Sequence, residues 1–486
     1  METSAPHLFE PRYISHITSA LEASMRSNLL ISTVLATALP SFFGGTPAAH
    51  AQAQTWETDI GPTNVAVSAL SRPAFRTAVD TQGNLVVAGV GGDSAASGAQ
   101  LVWVEKLAAD GTSLWYGEWR NPNGRVSLGG LALDGAGHAY VLTTADSTQW
   151  RTTCCDSTGG DFQDNVEEQV TVKFDGATGG LLWTSAFTRP ASSGISAHHI
   201  TLDSLGRLVT SGAYSEPYLP NRQYRHVLTT AGQSVWTAVE NEAFFEGPCA
   251  AAAGGSVVCI NSGHALGVYN RDIKVIKYSQ TGQVQWSRVI DDKQVNNTAG
   301  DLVVDAQDHV IIVGHNTLSN GTCELLRMRL RSKNGQFMWS ATSPLATCIN
   351  NAASSTANTH LGLVPTTNND YIAIGNLLGS ASNVFVRIDR NSGAIEATAI
   401  HANAIIARTA NGNGEPLVIA RGGVGQVLRK IAANNLTILS ETLISTGNSS
   451  LTAGLAVVPA TGRVFVARTL REPVSGERHG LAAAYD

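Results

Sequence analysis

The stretch VKFDGATGGLLWTSAF, residues 172–187, runs as an extended segment, turns at a pair of glycines and resumes through Trp183. Alternation on both sides of a short Gly turn is the pattern of a β-hairpin with one buried face. The same ruler returns as KVIKYSQTGQVQWSRVI around Trp286 and RMRLRSKNGQFMWSAT around Trp339, each Trp four residues after a turn glycine. Six of the nine tryptophans, Trp56, Trp115, Trp183, Trp236, Trp286 and Trp339, hold this place in a hairpin, and Ala397 and Leu439 are read there in two degenerate copies.

A second ruler precedes each of these hairpins. AVDTQGNLVVAG, LALDGAGHAYVLT, TLDSLGRLVTSG and VVDAQDHVIIVG set a turn between two strands, with nine residues from Asp80 to Gly89, Asp134 to Thr143, Asp203 to Gly212 and Asp305 to Gly314. Pro365 and Pro459 take the Asp place in two more copies. Two hairpins make four short antiparallel strands, and successive Trp places lie 42 to 68 residues apart, the period of a propeller blade. A lone blade leaves both faces wet, so each must pack on two neighbours. The expected fold is all-β: an eight-bladed β-propeller of four-stranded antiparallel blades. Its ring closes only if the N-terminal strand around Trp56 completes the C-terminal blade, which removes the free edges. The tryptophans then act as packing on the outer part of the blades, and the repeated Asp residues as turn formers rather than catalytic carboxylates.

Composition narrows the function classes. Only 14% of residues are charged and the net charge is -6, so there is no basic surface for a phosphate backbone, and nucleic acid is not an expected partner. Met25 and Arg26, the apolar run 29–39 and Ala49-His50-Ala51 form the three parts of a secretory signal. Residues 25–51 are therefore expected to be a signal peptide cut near Ala51, residues 1–24 an upstream extension, and residues 52–486 a single propeller domain, periplasmic or secreted. The apolar run is about half of the roughly 20 residues that span a bilayer, so no transmembrane segment is expected in the mature chain. A closed ring is expected to be a monomer.

Six cysteines in an exported chain point to disulfides rather than metal ligands. Cys249 and Cys259 flank a turn at Gly254-Gly255 and face one another. Cys323 and Cys348 fall near one end of blade five and would staple a strand start to the outgoing loop. Cys154 and Cys155 brace a long loop, either as a vicinal ring or by pairing elsewhere.

Asp175, Thr178, Gly179 and Trp183 spell D-x-x-T-G-x-x-x-W, and residues 80–84 spell the looser D-x-x-G-N turn. With these motifs the chain from Trp56 to Asp486 resembles the quinoprotein-type (PQQ-type) β-propellers, a superfamily of quinone-dependent alcohol dehydrogenases and many non-catalytic relatives. The motifs speak for the fold and hardly for an activity. In the enzymes an adjacent cysteine pair followed by Asp lies against the quinone, and Cys154-Cys155-Asp156 resembles it for three residues. This chain then continues Ser157-Thr158-Gly159-Gly160 where those enzymes have Asn-Arg-Gly. Their calcium ligands and catalytic Asp find no counterpart in their usual surroundings.

Chemistry in a propeller gathers on the face where the second strand meets the third and one blade meets the next, here called the top. The largest insertion there is 146–169 in blade two, whose Asp156, Asp161, Asp164, Glu167 and Glu168 read as a solvated acidic loop, with calcium ligation the rival reading. His198 and His199 stand on a first strand, where neighbours point to opposite sides and do not readily share a metal. Glu240, Glu242, Glu246, Asp291 and Asp292 crowd the next top-face connections, as polar loop ends or a negative rim for a cation or basic partner. The function expected is that of an exported binding or scaffold module holding a protein, glycan or cell-envelope partner with these loops, without a cofactor. The alternative is a PQQ-dependent dehydrogenase with calcium, using Cys154-Cys155 beside the quinone.

Overall fold

Eight antiparallel sheets stand in a ring. This computed structural model describes residues 52–486 apart from 62–65, 68–74, 93–99, 153–160, 189–193, 216–221, 241–242, 265–270, 291–294, 346, 350–360, 423–424, 447–452 and 472–477. The expected signal peptide and upstream extension lie outside the described residues. The first strands of blades 1 to 8 are Phe75–Val79, Val126–Leu133, Gly194–Leu202, Ala243–Ala251, Val295–Val304, Gly362–Pro365, Ala404–Ala410 and Ala453–Val457. Each touches the next, and the last touches the first, so these eight strands surround the axis. Each blade has four strands, and blade 1 adds the two-residue strand Ala66–Val67. No helix among the described residues is long and apolar enough to cross a membrane.

The ring closes through the chain ends. Gln54–Ile60 pairs antiparallel with Arg478–Tyr485, Trp56 opposite Ala484, as the fourth strand of blade 8. The Asp486 N–H donates to the Ala53 carbonyl at 3.1 Å, and the Asp486 carboxylate meets Arg463 at 2.6 Å.

Six of the eight joints between blades are built alike. The indole N–H groups of Trp56, Trp115, Trp183, Trp236, Trp286 and Trp339 donate to the carbonyls of Ala109, Gly176, Thr230, Gln280, Ser332 and Arg390, at 2.7–3.1 Å. Each acceptor lies in the turn before the last strand of the next blade. Against each ring lies the glycine of that turn: Gly111, Gly179, Gly232, Gly282, Gly335 or Gly393. All six have φ of 65–89°, and a Cβ on any of them would come within 2.6–3.0 Å of the ring. The glycine and the Trp four residues after it therefore serve different joints. The glycine receives the indole of the preceding blade, and the Trp covers the glycine of the following one.

At the joint between blades 6 and 7 the pair is Ala397 and Leu436. The next joint corrects the sequence reading. Ser440, not Leu439, stands opposite Lys430 in the register that Trp339 takes opposite Arg329, and Leu439 is 40% exposed. The turn of blade 7 has no glycine, so counting along the chain slipped by one.

The repeated Asp residues make turns. Asp80, Asp134, Asp203 and Asp305 each accept backbone N–H bonds from the residues two and four positions on, at 2.8–3.0 Å. Blade 4 instead turns through the short 3-10 segment Ala253–Gly255. Two expected disulfides are formed: Cys249–Cys259 across the first two strands of blade 4, and Cys323–Cys348 in blade 5.

Candidate functional site at the axis

The position four residues before the turn is occupied unevenly around the ring. Blades 1, 3 and 5 place Arg76, His199 and Asp301 there; blades 2, 6 and 8 place Gly130, Gly362 and Gly454. Side chains at this register cross toward the next blade. Arg76 Nε donates to the Gly129 carbonyl of blade 2 at 3.3 Å, and Asp301 accepts the Leu363 N–H of blade 6 at 2.9 Å.

Gly362 has a consequence for blade 7. A Cβ on it would fall 1.8 Å from Arg408 Nε, so the missing side chain opens a lane through which Arg408 comes within 3.8 Å of Asp301. An ion pair thus reaches over a whole blade. Burial raises the Asp301 carboxyl above its ordinary range, against the opposing pull of Arg408 and two backbone N–H donors, and burial lowers the Arg408 guanidinium.

The opposite side of the axis carries positive charge. Burial lowers Arg76 to about 10. His199 is lowered to about 4, first by burial, then by the charges of Arg225 and Arg76. Arg225 is fully buried on the third strand of blade 3; its guanidinium meets the Asn261 side chain of blade 4 and donates to the Tyr224 carbonyl at 2.8 Å. Arg76, Arg225, Asp301 and Arg408 were not singled out from the sequence. The available signal was a charged residue at a fixed distance before a turn, on a strand that should be small and apolar.

The residues expected on the top face are placed as follows. The blade-two insertion is largely not a loop: it continues the strands Ala139–Thr152 and Asp161–Phe174 as a two-stranded ribbon, paired from Asp146 with Glu167 up to Thr152 with Asp161. These strands outrun the first strand of the blade, whose pairing stops at Ala145. Cross-strand hydrogen bonds satisfy the added backbone, which a free loop would leave to water. Asp161 and Asp164 lie on this ribbon, their side chains outside the described residues. Glu167 is exposed; Glu168 is half-buried, its carboxyl raised by burial against a hydrogen bond with Ser147. Cys154, Cys155, Asp156, Glu242, Asp291 and Asp292 lie outside the described residues, and so does the side chain of Glu246.

His198 is an extra residue in its strand: the register shifts between Ala197 and His199. The strict alternation expected of the two histidines is therefore interrupted by a bulge. Glu240 is not a rim residue. It is buried, paired with Lys274 of blade 4 at 2.8 Å and hydrogen-bonded by the Tyr278 hydroxyl.

Cys154-Cys155-Asp156, expected beside a quinone under the alternative reading, lie outside the described residues, and among the described residues no three His, Cys, Asp or Glu side chains converge on one point. The six joint indoles are committed to turn carbonyls, and Trp103 is fully buried against Gly61 and Gly89. Two cavities open instead at the bottom, at the two joints without an indole: about 350 Å³ between blades 6 and 7, and about 480 Å³ between blades 7 and 8.

No family model and no curated protein matches the sequence. Among solved structures, the quinohemoprotein alcohol dehydrogenase of Comamonas testosteroni aligns over 89% of this chain and 76% of its own, with 12% identity and a TM-score of 0.50. In fold, the chain is an eight-bladed β-propeller. The Dos1 propeller aligns over 81% of this chain and 99% of its own, with 11% identity and a TM-score of 0.43. A protein of unknown function from Dyadobacter fermentans covers 89% and 98%, at 10% identity and a TM-score of 0.41. At 12% identity the chain shares an architecture with the Comamonas enzyme, and a shared architecture does not carry an activity.

Proposed function

We propose that the chain is a binding or scaffold propeller of an oxidising compartment, exported by the segment 25–51, that holds a protein, glycan or cell-envelope partner at the top of its ring. The observation that carries this reading is the ribbon of blade 2. Its paired strands continue past the first strand of the blade as a pre-formed ribbon at the top, whereas at six joints the bottom is taken up by tight turns closed over indoles. Pre-organised backbone lowers the ordering cost of binding. The two disulfides fit an oxidising space.

The rival reading is a quinone-dependent dehydrogenase. Purified protein incubated with PQQ and calcium, then assayed for dye reduction with short alcohols, separates the two. The binding reading expects no retained chromophore and no alcohol-dependent reduction. Retention of the quinone together with turnover would replace it.

A further inference from the structure

The inner strands carry two unlike sets of charge around the ring axis. On the side of blades 5 to 7, the charge of Arg408 is answered by Asp301 across Gly362. On the side of blades 1 to 4, Arg76 and Arg225 both lie near enough to His199 for their charges to act on its imidazole, and none of the three makes an ion pair with a carboxylate among the described residues. Arg76 is tied by its Nε and Nη1 to the carbonyls of Gly129 and Phe75, which orients the guanidinium and leaves Nη2 without a partner among the described residues. Blade 2, which separates Arg76 from His199, has Gly129 and Gly130 at this level; the place of a Gly129 Cβ is taken by the Ala197 carbonyl of blade 3 and that of a Gly130 Cβ by Ile200, so blade 3 packs directly on this strand.

The Nδ1 of His199 and the Nε of Arg225 are both buried and unpartnered. The carboxylate of the neighbouring joint, Glu240, is already neutralised by Lys274. Two guanidinium charges and an open imidazole nitrogen without a counter-charge among the described residues form an unfavourable arrangement that an anion completes, because buried charge is tolerated when paired and hydrogen-bonded. Arginine with one edge free is also well suited to a planar or tetrahedral oxyanion.

We infer that this side of the channel binds an anionic group, a carboxylate or a phosphate, between Arg76 and His199, with the charge of Arg225 behind them. The inference deepens the binding reading: the ligand, or the part of the partner that enters the ring, carries acidic groups.

Calorimetric titration of the purified chain at low salt with inorganic phosphate and, separately, with succinate tests it. One probe is expected to bind saturably at a single site, and which one does so tells phosphate from carboxylate. Arg76→Gln is expected to weaken that binding by at least about tenfold, the loss of one charge-assisted contact, and His199→Asn to weaken it by a smaller factor. Thermal unfolding checks that each variant is folded. If neither probe saturates the wild-type chain, or if both folded variants bind as it does, the inference is wrong. That failure leaves the binding reading standing, whereas alcohol-dependent dye reduction would remove the reading and leave the anion site to be judged on its own titration.

Discussion

Leu436 and Ala397 exchange the roles that glycine and tryptophan play at the other joints. Leu436 holds the turn position of the glycines, with the same left-handed backbone at φ 60°, and is fully buried; Ala397 holds the Trp position and packs against the cluster to which Leu436 belongs. The bulk that six joints place on the preceding blade is placed here on the following one. A leucine in this conformation costs about 1–2 kcal/mol of backbone strain, outweighed by its burial. Leu436→Gly should lower stability by about 1–3 kcal/mol, cavity cost less recovered strain, and Ala397→Trp alone should drive an indole into Leu436. The double variant should rebuild the common joint and be more stable than either single change, with a coupling of at least about 2 kcal/mol in a denaturant cycle. Additive effects would mean the two residues are not partners.

The common joint makes its own prediction. Trp236 is 8% exposed, donates to the Gln280 carbonyl at 3.1 Å and lies where a Cβ on Gly282 would be 2.7 Å from the ring. Trp236→Ala should cost about 3–5 kcal/mol. Gly282→Ala should destabilise by a comparable amount although it adds only a methyl group, because φ at 81° disfavours any Cβ and the indole occupies its place. Urea midpoints of the two variants measure both effects. A neutral Gly282→Ala would refute the account of why the glycine recurs.

These joints also show what could be read from the chain before its fold was known. Asp175, Thr178, Gly179 and Trp183 signal a hairpin because each satisfies a local requirement: a turn carboxylate, a capping hydroxyl, a left-handed residue and an outer packing group. Repetition then supplies the ring, since a blade covers its faces only against copies of itself. The partner of a given Trp is not local, so its seating on the next blade's glycine, and the reversal at Leu436, emerge only when the blades are side by side. The candidate site was less legible for the same reason. Arg76 lies two blades of sequence before His199 and Arg225, and the three share no motif. The acidic stretch after Asp146 looked like a loop because charged residues satisfy a solvated ribbon as well as a turn.

Acidification should weaken the fold through its buried histidines. His226 is 4% exposed, stacks on Phe187 and is lowered to about 4 by burial; His199 is lowered to about 4 by burial and then by the charges of Arg225 and Arg76. Each is near 6.5 when unfolded, so the unfolded chain binds more protons between the two values. Their contribution is fully present above about pH 6.5 and is lost as pH falls toward about 4, at up to about 1.4 kcal/mol per pH unit for each histidine. Urea midpoints at neutral pH and at about pH 5 should therefore differ, and His226→Asn should flatten the slope even if it lowers stability overall. A midpoint independent of pH over this window would contradict the assignment of neutral, buried imidazoles.

Closure of the ring is the remaining test, because it joins residues more than 400 positions apart. Gln54–Ile60 completes blade 8, Trp56 donates to Ala109 of blade 1, and Arg468 pairs with Glu57. Without this strand the backbone edge of Arg478–Tyr485 is left bare, and a bare edge invites pairing with another chain. Deleting residues 52–60 should therefore give aggregated or strand-exchanged protein rather than a slightly less stable monomer. A circular permutant is the counter-experiment. The Asp486 N–H already reaches the Ala53 carbonyl at 3.1 Å, so a short Gly-containing linker from Asp486 to Gln52 should form a hairpin turn, with new ends opened in the segment 350–360. Such a permutant should elute as a monomer and unfold with at least the wild-type midpoint, because the strand that latches the ring is now covalently tethered beside its partner. Size-exclusion chromatography and thermal unfolding of the two variants read the outcome. A deletion variant that stayed monomeric and as stable as the full chain would show that blade 8 holds without its fourth strand.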